Sequence, residues 1–334
     1  MTAGLLPKVV VLATGGTIAG RAGSSISHEY KAGSATGAEL VAAVPELARV
    51  ANVVVEQVCN IASSNMMFAV WRSLAERISA LLSNDPEIAG IVVTHGTNTL
   101  EETAYFLNLV VRSEKPVVLV GAMRPATAMS ADGPMNLFNA VAVATTPAAR
   151  GRGVLVVAND EIHFAREVAK TNTTQLGTFH SGQRGLAGLV NAGRPHFYAP
   201  PVRRHTAASE FALQSRAALP RVDIIFAHAG MDRALIDAAV AAGARGLVIA
   251  GVGDGNLGAP ALAACAAAAK KGVAIVRASR TGGGVVERNI EIDDDRLGFI
   301  AADELNPQKA RVLLMLGLTR TTDPRALQEL FLAY

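Results

Sequence analysis

Two segments of the chain constrain its fold more strongly than any other feature. Each is an apolar, β-branched run that ends in hydroxylated residues and glycines: VVVLATGGTIAG from Val9, and GIVVTHGTNTLEETAYF from Gly90. Such a run is typical of a buried parallel strand, whose carboxyl end opens into a ligand crevice. Five threonines are then expected at the crevice, which favours a hydroxyl nucleophile over a metal or nucleotide site: Thr14, Thr17, Thr94, Thr97 and Thr99.

The rest of the chain continues this order of strand and helix. Amphipathic or alanine-rich helical stretches separate predicted strands at Val9–Ala13, Val53–Val58, Ile88–Thr94, Val117–Gly121, Gly153–Ala158, Ile224–His228, Gly246–Ala250 and Ala274–Ala278. Alternation of this kind predicts an α/β fold built of βαβ units on a parallel sheet.

The alternation weakens between Asn172 and Arg221, where we expect a hairpin or loop region followed by a linker. This break predicts a larger N-terminal domain at residues 1–206, with a mostly parallel sheet flanked by helices. A linker at 207–220 then leads into a smaller C-terminal α/β domain at 221–334.

Composition argues against several classes of protein. Half of the 334 residues are hydrophobic, which argues against disorder. The formal net charge is only +3 and no lysine–arginine run is present, so a nucleic-acid interface is disfavoured. No apolar run is long enough to span a bilayer, and the N-terminus lacks the pattern of a signal peptide. Two cysteines, Cys59 and Cys265, give no disulfide framework. We therefore expect a cytoplasmic protein, or a periplasmic one if a signal was removed.

The turn at Gly15 and Gly16 differs from a nucleotide-binding loop. A Rossmann fingerprint needs G-x-G-x-x-G, whereas the order here is G-G-T-I-A-G, and no Walker lysine follows. Thr17 is the hydroxyl that we favour as a nucleophile, and the alternative is a threonine that caps a turn. Tyr30 lies in the segment Arg21–Gly33, whose composition fits either a lid with a functional tyrosine or an ordinary surface loop.

Residues around the second threonine cluster allow both structural and chemical interpretations. Thr99 and Glu102 have the spacing of a capping box, which makes both glutamates of LEET helix-start residues rather than catalytic acids. Thr97 and Asn98 would then point into the crevice from the turn. Lys170 lies among hydroxyls in VAKTNTT. If it is buried near Thr97 it can serve as a base of lowered pKa, and otherwise it is an exposed lysine.

Seven segments together are specific for one family: TGGTIAG, THGTNTLEETAYFL, KPVVLVGAMRPATAMSADGPMNL, GRGVLVV, KTNTT, GVGDGN and LNPQKARVLL. With them the chain resembles the bacterial L-asparaginases and glutaminase-asparaginases, especially the high-affinity type, over nearly its whole length. The resemblance implies a homotetramer in which each site is completed by a neighbouring subunit. It also implies hydrolysis of L-asparagine to L-aspartate and ammonia without metal or cofactor, with L-glutamine left open as a second substrate.

The resemblance also implies roles for individual residues. Thr17 corresponds to the nucleophile and Tyr30 to the lid tyrosine that activates it. Thr97 corresponds to the second catalytic threonine, and Lys170 to the lysine paired with it. Glu291 corresponds to the glutamate contributed across the subunit interface. The implied substrate-binding positions are Ser63, for the α-carboxylate, and Ser64, Asn98 and Asn256.

Two positions depart from the family pattern. The family motif HGTDT is HGTNT here, so Asn98 replaces an aspartate, and Ser64 stands where the family has Gln or Glu. By resemblance, both positions hold the α-ammonium of the substrate. A hydrogen bond to a charged group is worth about 1.5–3 kcal/mol, so the loss of charge and reach should weaken binding of that group.

Three functions are compatible with these residues. The first is an active L-asparaginase of altered affinity. The second is an amidase for a related amide with an altered amino group, and the third is a non-catalytic amino-acid-binding protein of the same fold. We rank them in this order because both threonines, the tyrosine, the lysine and the glutamate are retained.

Overall fold

Runs of valine, isoleucine and leucine form a large sheet in the first unit of the chain. The computed structural model describes residues 5–24, 30–213 and 218–334, and the first of its two units spans Met1–Leu213. The strands described in this unit are β1 (Lys8–Gly15), β2 (Arg21–Ala22), β3 (Tyr30–Lys31), β4 (Asn52–Ile61), β5 (Ile88–Thr94), β6 (Val117–Val120), β7 (Val154–Ala158), β8 (Glu161–Phe164), β9 (Ala169–Lys170), β10 (Phe179–His180), β11 (Gly188–Asn191) and β12 (Arg194–Phe197).

Eight of these strands form one sheet in the order β12–β11–β8–β7–β6–β5–β1–β4. The strands from β7 to β4 in this order are parallel, whereas β8, β11 and β12 extend the sheet with antiparallel pairs. β1, β5, β6 and β7 are buried along almost their whole length, as expected for parallel strands that helices cover on both faces. Two short antiparallel pairs, β2–β3 and β9–β10, lie outside this sheet.

Four helices of the described chain belong to this unit: α1 (Gly37–Ala42), α2 (Phe68–Asn84), α3 (Leu100–Val110) and α4 (Gly133–Thr145). Leu40 of α1 and Val141 of α4 share one core cluster with Val9 of β1. α2 and α3 pack against each other through Trp71 and Phe106, whose rings stack with centroids 5.0 Å apart.

The second unit, Gln214–Tyr334, is built on a smaller parallel sheet. Its strands, in sheet order, are β13 (Val222–Phe226), β14 (Gly246–Gly251), β15 (Ala274–Ser279) and β16 (Phe299–Ala301). The helices described there are α5 (Ala234–Ala241), α6 (Ala259–Lys270), α7 (Asp294–Leu297), α8 (Pro307–Gly317) and α9 (Pro324–Ala333). A separate core cluster includes Ile236, Leu247, Cys265 and Phe299.

The predicted fold class is confirmed: a larger N-terminal, mostly parallel sheet with helices and a smaller C-terminal α/β unit. One strand begins and ends earlier in the chain than the sequence predicts: β13 spans Val222–Phe226, whereas the prediction is Ile224–His228. The domain boundaries at 1–206, 207–220 and 221–334 stay a prediction. The structure itself divides into two units after Leu213. Within the described residues, no helix combines the length and apolar character that crossing a membrane requires.

The turns after β1 and β5 are in direct backbone contact because glycines face each other there. Ala13 of β1 is level with Thr94 of β5, and the β1–β4 register shifts between Ala13 and Gly15. Gly16 has a φ of 83°, and a Cβ built on it would lie 2.3 Å from Cα of Gly96. Only a residue without a side chain fits this contact.

We expect Gly16→Ala to destabilise the protein by about 3 kcal/mol or more, because the backbone conformation and the overlap with Gly96 both oppose the added methyl group. The matched control is Gly151→Ala, where φ is 68° and an added Cβ would meet nothing within 4 Å. The control should lose about 1–2 kcal/mol, the cost of the left-handed backbone alone. Urea unfolding at one protein concentration measures both losses, and equal losses would contradict the tight contact.

Candidate functional site

The two threonine clusters lie together at one edge of the large sheet. The Thr14 hydroxyl at the end of β1 donates to the carbonyl of Thr94 at the end of β5, at 2.8 Å. Thr17 and Thr97 each follow one of the two glycines whose backbones touch. Their side chains are nearly buried, with 8% of Thr17 and 4% of Thr97 exposed. The structure therefore places two threonine side chains at adjacent strand ends.

The backbone around Thr17 is held on both sides. Thr17 begins the 3-10 turn Thr17–Ala19, and the N–H of Gly20 donates to its carbonyl at 2.8 Å. On the other side, the N–H of Gly16 donates to the carbonyl of Ile61 at 2.9 Å, and Gly16 in turn accepts from the N–H of Gly33 at 3.1 Å. These bonds orient the turn that carries Thr17.

Lys170, at the end of β9, reaches the second threonine. Its Nζ donates to Oγ1 of Thr97 at 2.8 Å and to Oδ1 of Asn98 at 3.0 Å. The lysine is half-buried, and burial lowers its pKa. Asn98 is uncharged, so it does not stabilise the ammonium as a carboxylate at this position would. Once neutral, an amine in this contact can accept a proton from the Thr97 hydroxyl.

The lysine also fixes the orientation of the Asn98 amide. Nζ of a lysine ammonium carries donors only, so the amide must turn Oδ1 towards it. Nδ2 then faces away from Lys170 and donates to no other group in the described part of the chain. Because Asn98 is exposed, Nδ2 is available to a ligand as an uncharged N–H donor.

Ser63 connects the turn after β4 to the second threonine cluster. Its Oγ accepts the N–H of Asn98 at 3.2 Å, and its carbonyl accepts the hydroxyl of Thr99 at 2.8 Å. A Cβ built on Gly96 would lie 2.6 Å from Ser63 Oγ, so the two turns are packed tightly. Ser63 is 5% exposed, whereas its neighbour Ser64 is exposed. Ser63, Thr97 and Asn98 are thus brought together.

The capping box predicted at the start of α3 is wrong. Thr99 is the N-cap residue, but its side chain caps no backbone N–H of the helix. Its hydroxyl instead donates to the Ser63 carbonyl. A tertiary partner therefore replaces the local one that the sequence spacing suggested.

Glu101 has a positioning role that the sequence analysis missed. It is only 4% exposed, and its Oε2 accepts the backbone N–H of Lys170 at 3.0 Å. This bond ties β9 to the first turn of α3 and holds Lys170 beside Thr97. The sequence does contain a signal for this role. Because α3 is apolar on nearly every face, a carboxylate in its first turn is surrounded by protein.

A buried histidine supports the Gly96–Thr97 turn. Nε1 of Trp71 donates to Oγ1 of Thr103 at 2.7 Å, and that hydroxyl donates to Nε2 of His95 at 2.9 Å. Nδ1 of His95 then carries the proton and donates to the carbonyl of Gly96 at 2.7 Å. Burial lowers the pKa of His95 to about 4. The neutral ring therefore holds the Gly96 carbonyl next to Thr97.

Three predicted site residues, Tyr30, Asn256 and Glu291, each lie within one of the two units. The backbone of Tyr30 begins β3, which pairs with β2, but its side chain lies outside the described part of the structure. Asn256 and Glu291 belong to the second unit, where Nδ2 of Asn256 donates to Oε2 of Glu291 at 2.8 Å. Over the described ranges, no cluster of three or more His, Cys, Asp or Glu side chains has the arrangement of a metal site.

Because His95 is buried, we expect the free energy of unfolding to decrease as the pH falls. Its ordinary pKa of 6.5 becomes about 4 in the folded protein, so the unfolded chain takes up the proton first. The stabilisation that comes from the neutral ring is fully present above the pKa that His95 has in the unfolded chain. It decreases as the pH falls towards the pKa of His95 in the folded protein. At about 1.4 kcal/mol per pKa unit, the parent should lose about 2 kcal/mol more than His95→Gln between roughly pH 7 and pH 5. Urea unfolding measures this difference, and equal losses would contradict a neutral, buried ring.

Comparison with known proteins places the whole chain. The family described as "Asparaginase, N-terminal" matches residues 8–203, and the family described as "Glutaminase/Asparaginase C-terminal domain" matches residues 221–331. The chain is 51% identical over 330 residues to L-asparaginase 2 of Bacillus subtilis strain 168, across 98% of this chain and 87% of that protein.

Two further proteins agree with these matches. A probable periplasmic L-asparaginase of Haemophilus influenzae is 48% identical over 326 residues, across 98% of this chain and 93% of that protein. The crystal structure of a probable cytoplasmic L-asparaginase from Campylobacter jejuni matches with a TM-score of 0.95 and 44% identity, across 98% of this chain and 99% of that one. On these matches and the fold that they share, the chain belongs to the asparaginase family.

Proposed function

We propose that this member of the asparaginase family hydrolyses L-asparagine to L-aspartate and ammonia through a threonine nucleophile, with L-glutamine as a second substrate. The observation that carries the proposal is the 2.8 Å contact between Nζ of Lys170 and Oγ1 of Thr97, at the strand end beside Thr17. Similarity to proteins named L-asparaginase supports the substrate class.

In the first half of the proposed reaction, Oγ1 of Thr17 attacks the side-chain amide carbon. The hydroxyl proton of Thr17 passes to the leaving nitrogen, the C–N bond breaks, and ammonia leaves an acyl ester on Thr17. By resemblance to the family, Tyr30 activates Thr17 in this step.

In the second half, a water molecule attacks the ester. Thr97 takes the proton of the water and passes its own to the neutral amine of Lys170, which burial makes easier to deprotonate. The hydroxide forms the acid product, and the proton returns to Oγ1 of Thr17. No metal or cofactor takes part in this scheme.

We also propose that the protein acts as a homotetramer in which Asn256 and Glu291 of one subunit complete a neighbour's site. Glu291 is exposed on its own unit and is oriented by the hydrogen bond from Asn256, which supports a role for its carboxylate beyond that unit. We place the enzyme in the cytoplasm. The names of its relatives include both a cytoplasmic and a periplasmic protein.

The orientation of Asn98 favours a second substrate class. Its Nδ2 offers a donor where the family resemblance places the α-ammonium of the substrate, which is itself a donor. Two donors cannot form a hydrogen bond, whereas an amide with hydrogen or hydroxyl at the α-carbon avoids the conflict. Ser64 also has less reach than the glutamine or glutamate of the family. A binding protein of this fold, the third possibility, would take up such ligands without releasing ammonia.

We expect Thr17→Val to lower kcat for ammonia release by about a thousandfold or more, because valine keeps the shape but removes the nucleophile. The control is Thr14→Val at the same strand end, whose hydroxyl is occupied by the Thr94 carbonyl. That variant should lose less than about tenfold. Parent-like turnover by Thr17→Val would exclude the proposed role.

We expect the parent to discriminate poorly between L-asparagine and succinamic acid, which lacks the amino group. Ammonia release from both amides, with L-glutamine and 2-hydroxysuccinamic acid alongside, measures kcat/KM for each. The double variant Asn98→Asp/Ser64→Gln should raise kcat/KM for L-asparagine about tenfold, a gain of about 1.4 kcal/mol in transition-state binding. If the parent binds L-asparagine tightly and rejects succinamic acid, the second substrate class is wrong.

We expect two variants that each have little activity alone to restore activity when they share an oligomer. Thr17→Val and Glu291→Ala subunits are mixed, unfolded and reassembled, and some sites then combine an intact Thr17 with an intact Glu291. About a quarter of the parent activity is expected for random assembly of a two-subunit site. Mixed oligomers without recovered activity, or a fully active monomer in light scattering, would contradict a shared site.

A further inference from the structure

A buried arginine lies beneath the two loops that carry Asn256 and Glu291. Arg277 is in β15, the third strand of the small sheet, and is only 1% exposed. Its partner Asp294, at the start of α7, is fully buried. Nε and Nη2 of the arginine donate to the two carboxylate oxygens, each at 2.7 Å.

The rest of the guanidinium binds the backbone of both loops. Nη1 donates to the carbonyl of Asp254 at 2.9 Å and to that of Gly255 at 3.5 Å, next to Asn256. Nη2 donates to the carbonyl of Glu287 at 2.8 Å, in the loop that leads to Glu291. All five N–H groups of the arginine therefore have an acceptor.

One more hydrogen bond connects the two loops, and another connects the second loop to Asp294. The N–H of Glu287 donates to Oδ1 of Asp254 at 2.8 Å, and the N–H of Asn289 donates to Oδ2 of Asp294 at 2.9 Å. Gly255 has a φ of 69°, and a Cβ built on it would lie 2.9 Å from Cγ1 of Val286 and 3.2 Å from Nη1 of the arginine. The two loops are thus in direct contact above the guanidinium.

Stability alone is a weak reason for such an ion pair. The cost of removing both charges from water offsets much of their attraction, and a well-packed apolar pair of similar volume is often as stable. An apolar pair would lack the five directed donors. With these donors the arginine fixes the distance between two loops. The side chains of Asn256 and Glu291 form a hydrogen bond where the loops meet.

We propose that Arg277 is a positioning residue, which with Asp294 sets the geometry of the Asn256–Glu291 pair and so of the carboxylate supplied to the reaction. The inference rests on the proposed role of Glu291. A lysine at position 277 keeps the charge but cannot form the forked contacts to the carboxylate and to both loops.

Hydrogen exchange tests the positioning without relying on activity. Arg277→Lys and the apolar swap Arg277→Met/Asp294→Leu are compared with the parent by mass spectrometry of peptides covering 252–256 and 286–291. Exchange in both loops should be about tenfold faster, with the strands of the small sheet unchanged. Arg233→Ala, which breaks an exposed ion pair with Asp237 on the same unit, is the control and should leave both loops as in the parent. Parent-like exchange in both loops of folded Arg277→Lys would overturn the proposal.

A double-mutant cycle tests the link to the reaction. Arg277→Lys should lower kcat/KM about tenfold in the parent but change it little in Glu291→Ala, because the carboxylate being positioned is already absent. Equal losses in both backgrounds would indicate a general structural effect and overturn the proposal. A fully active Glu291→Ala would refute the proposed role of Glu291 instead, and hydrogen exchange would still decide whether the arginine positions the loops.

Discussion

The backbone contact between Gly16 and Gly96 is the constraint on which the candidate site depends. Parallel strands bring several carboxyl ends to one edge of a sheet, but neighbouring strand ends still need room for their side chains. Here both turns carry glycine at the point of contact, so they approach as closely as two backbones can. Each turn then presents a threonine in the next position. Ser63, in the turn after β4, also packs against Gly96 and accepts the N–H of Asn98, so three turns are tightly packed at the site.

The electrostatics around Lys170 follow from a balance between burial and charge. Burial lowers the pKa of the lysine, and an aspartate at position 98 would act in the opposite direction by favouring the ammonium. With asparagine there, we expect one residue to have two effects: it leaves the amine easier to deprotonate, and it removes a charge from the place where we propose that the substrate ammonium binds. We therefore expect a loss of affinity for L-asparagine to be coupled, through Asn98, to a larger neutral fraction of Lys170.

Sequence patterns predicted the parts of this structure that depend on local order. Apolar runs followed by glycine and threonine identified β1 and β5, and the two alternatives for Lys170 included the contact with Thr97 that the structure has. The capping box failed because Thr99 found a partner in Ser63, which no local pattern encodes. Glu101, His95 and Arg277 were missed for a related reason. Each acts through bonds to residues distant in the chain or to backbone carbonyls, and periodicity does not reveal such partners. The roles assigned to the site residues stay predictions.

We propose that Thr17 carries the acyl group during turnover. Lys170→Met should slow the second half of the reaction, because the water loses its base, and the ester should accumulate. Turnover of L-asparagine by this variant is stopped with acid, and the digested protein is analysed by peptide mass spectrometry. We expect an aspartyl ester at Thr17. An ester at Thr97, with Thr17 unmodified, would contradict it.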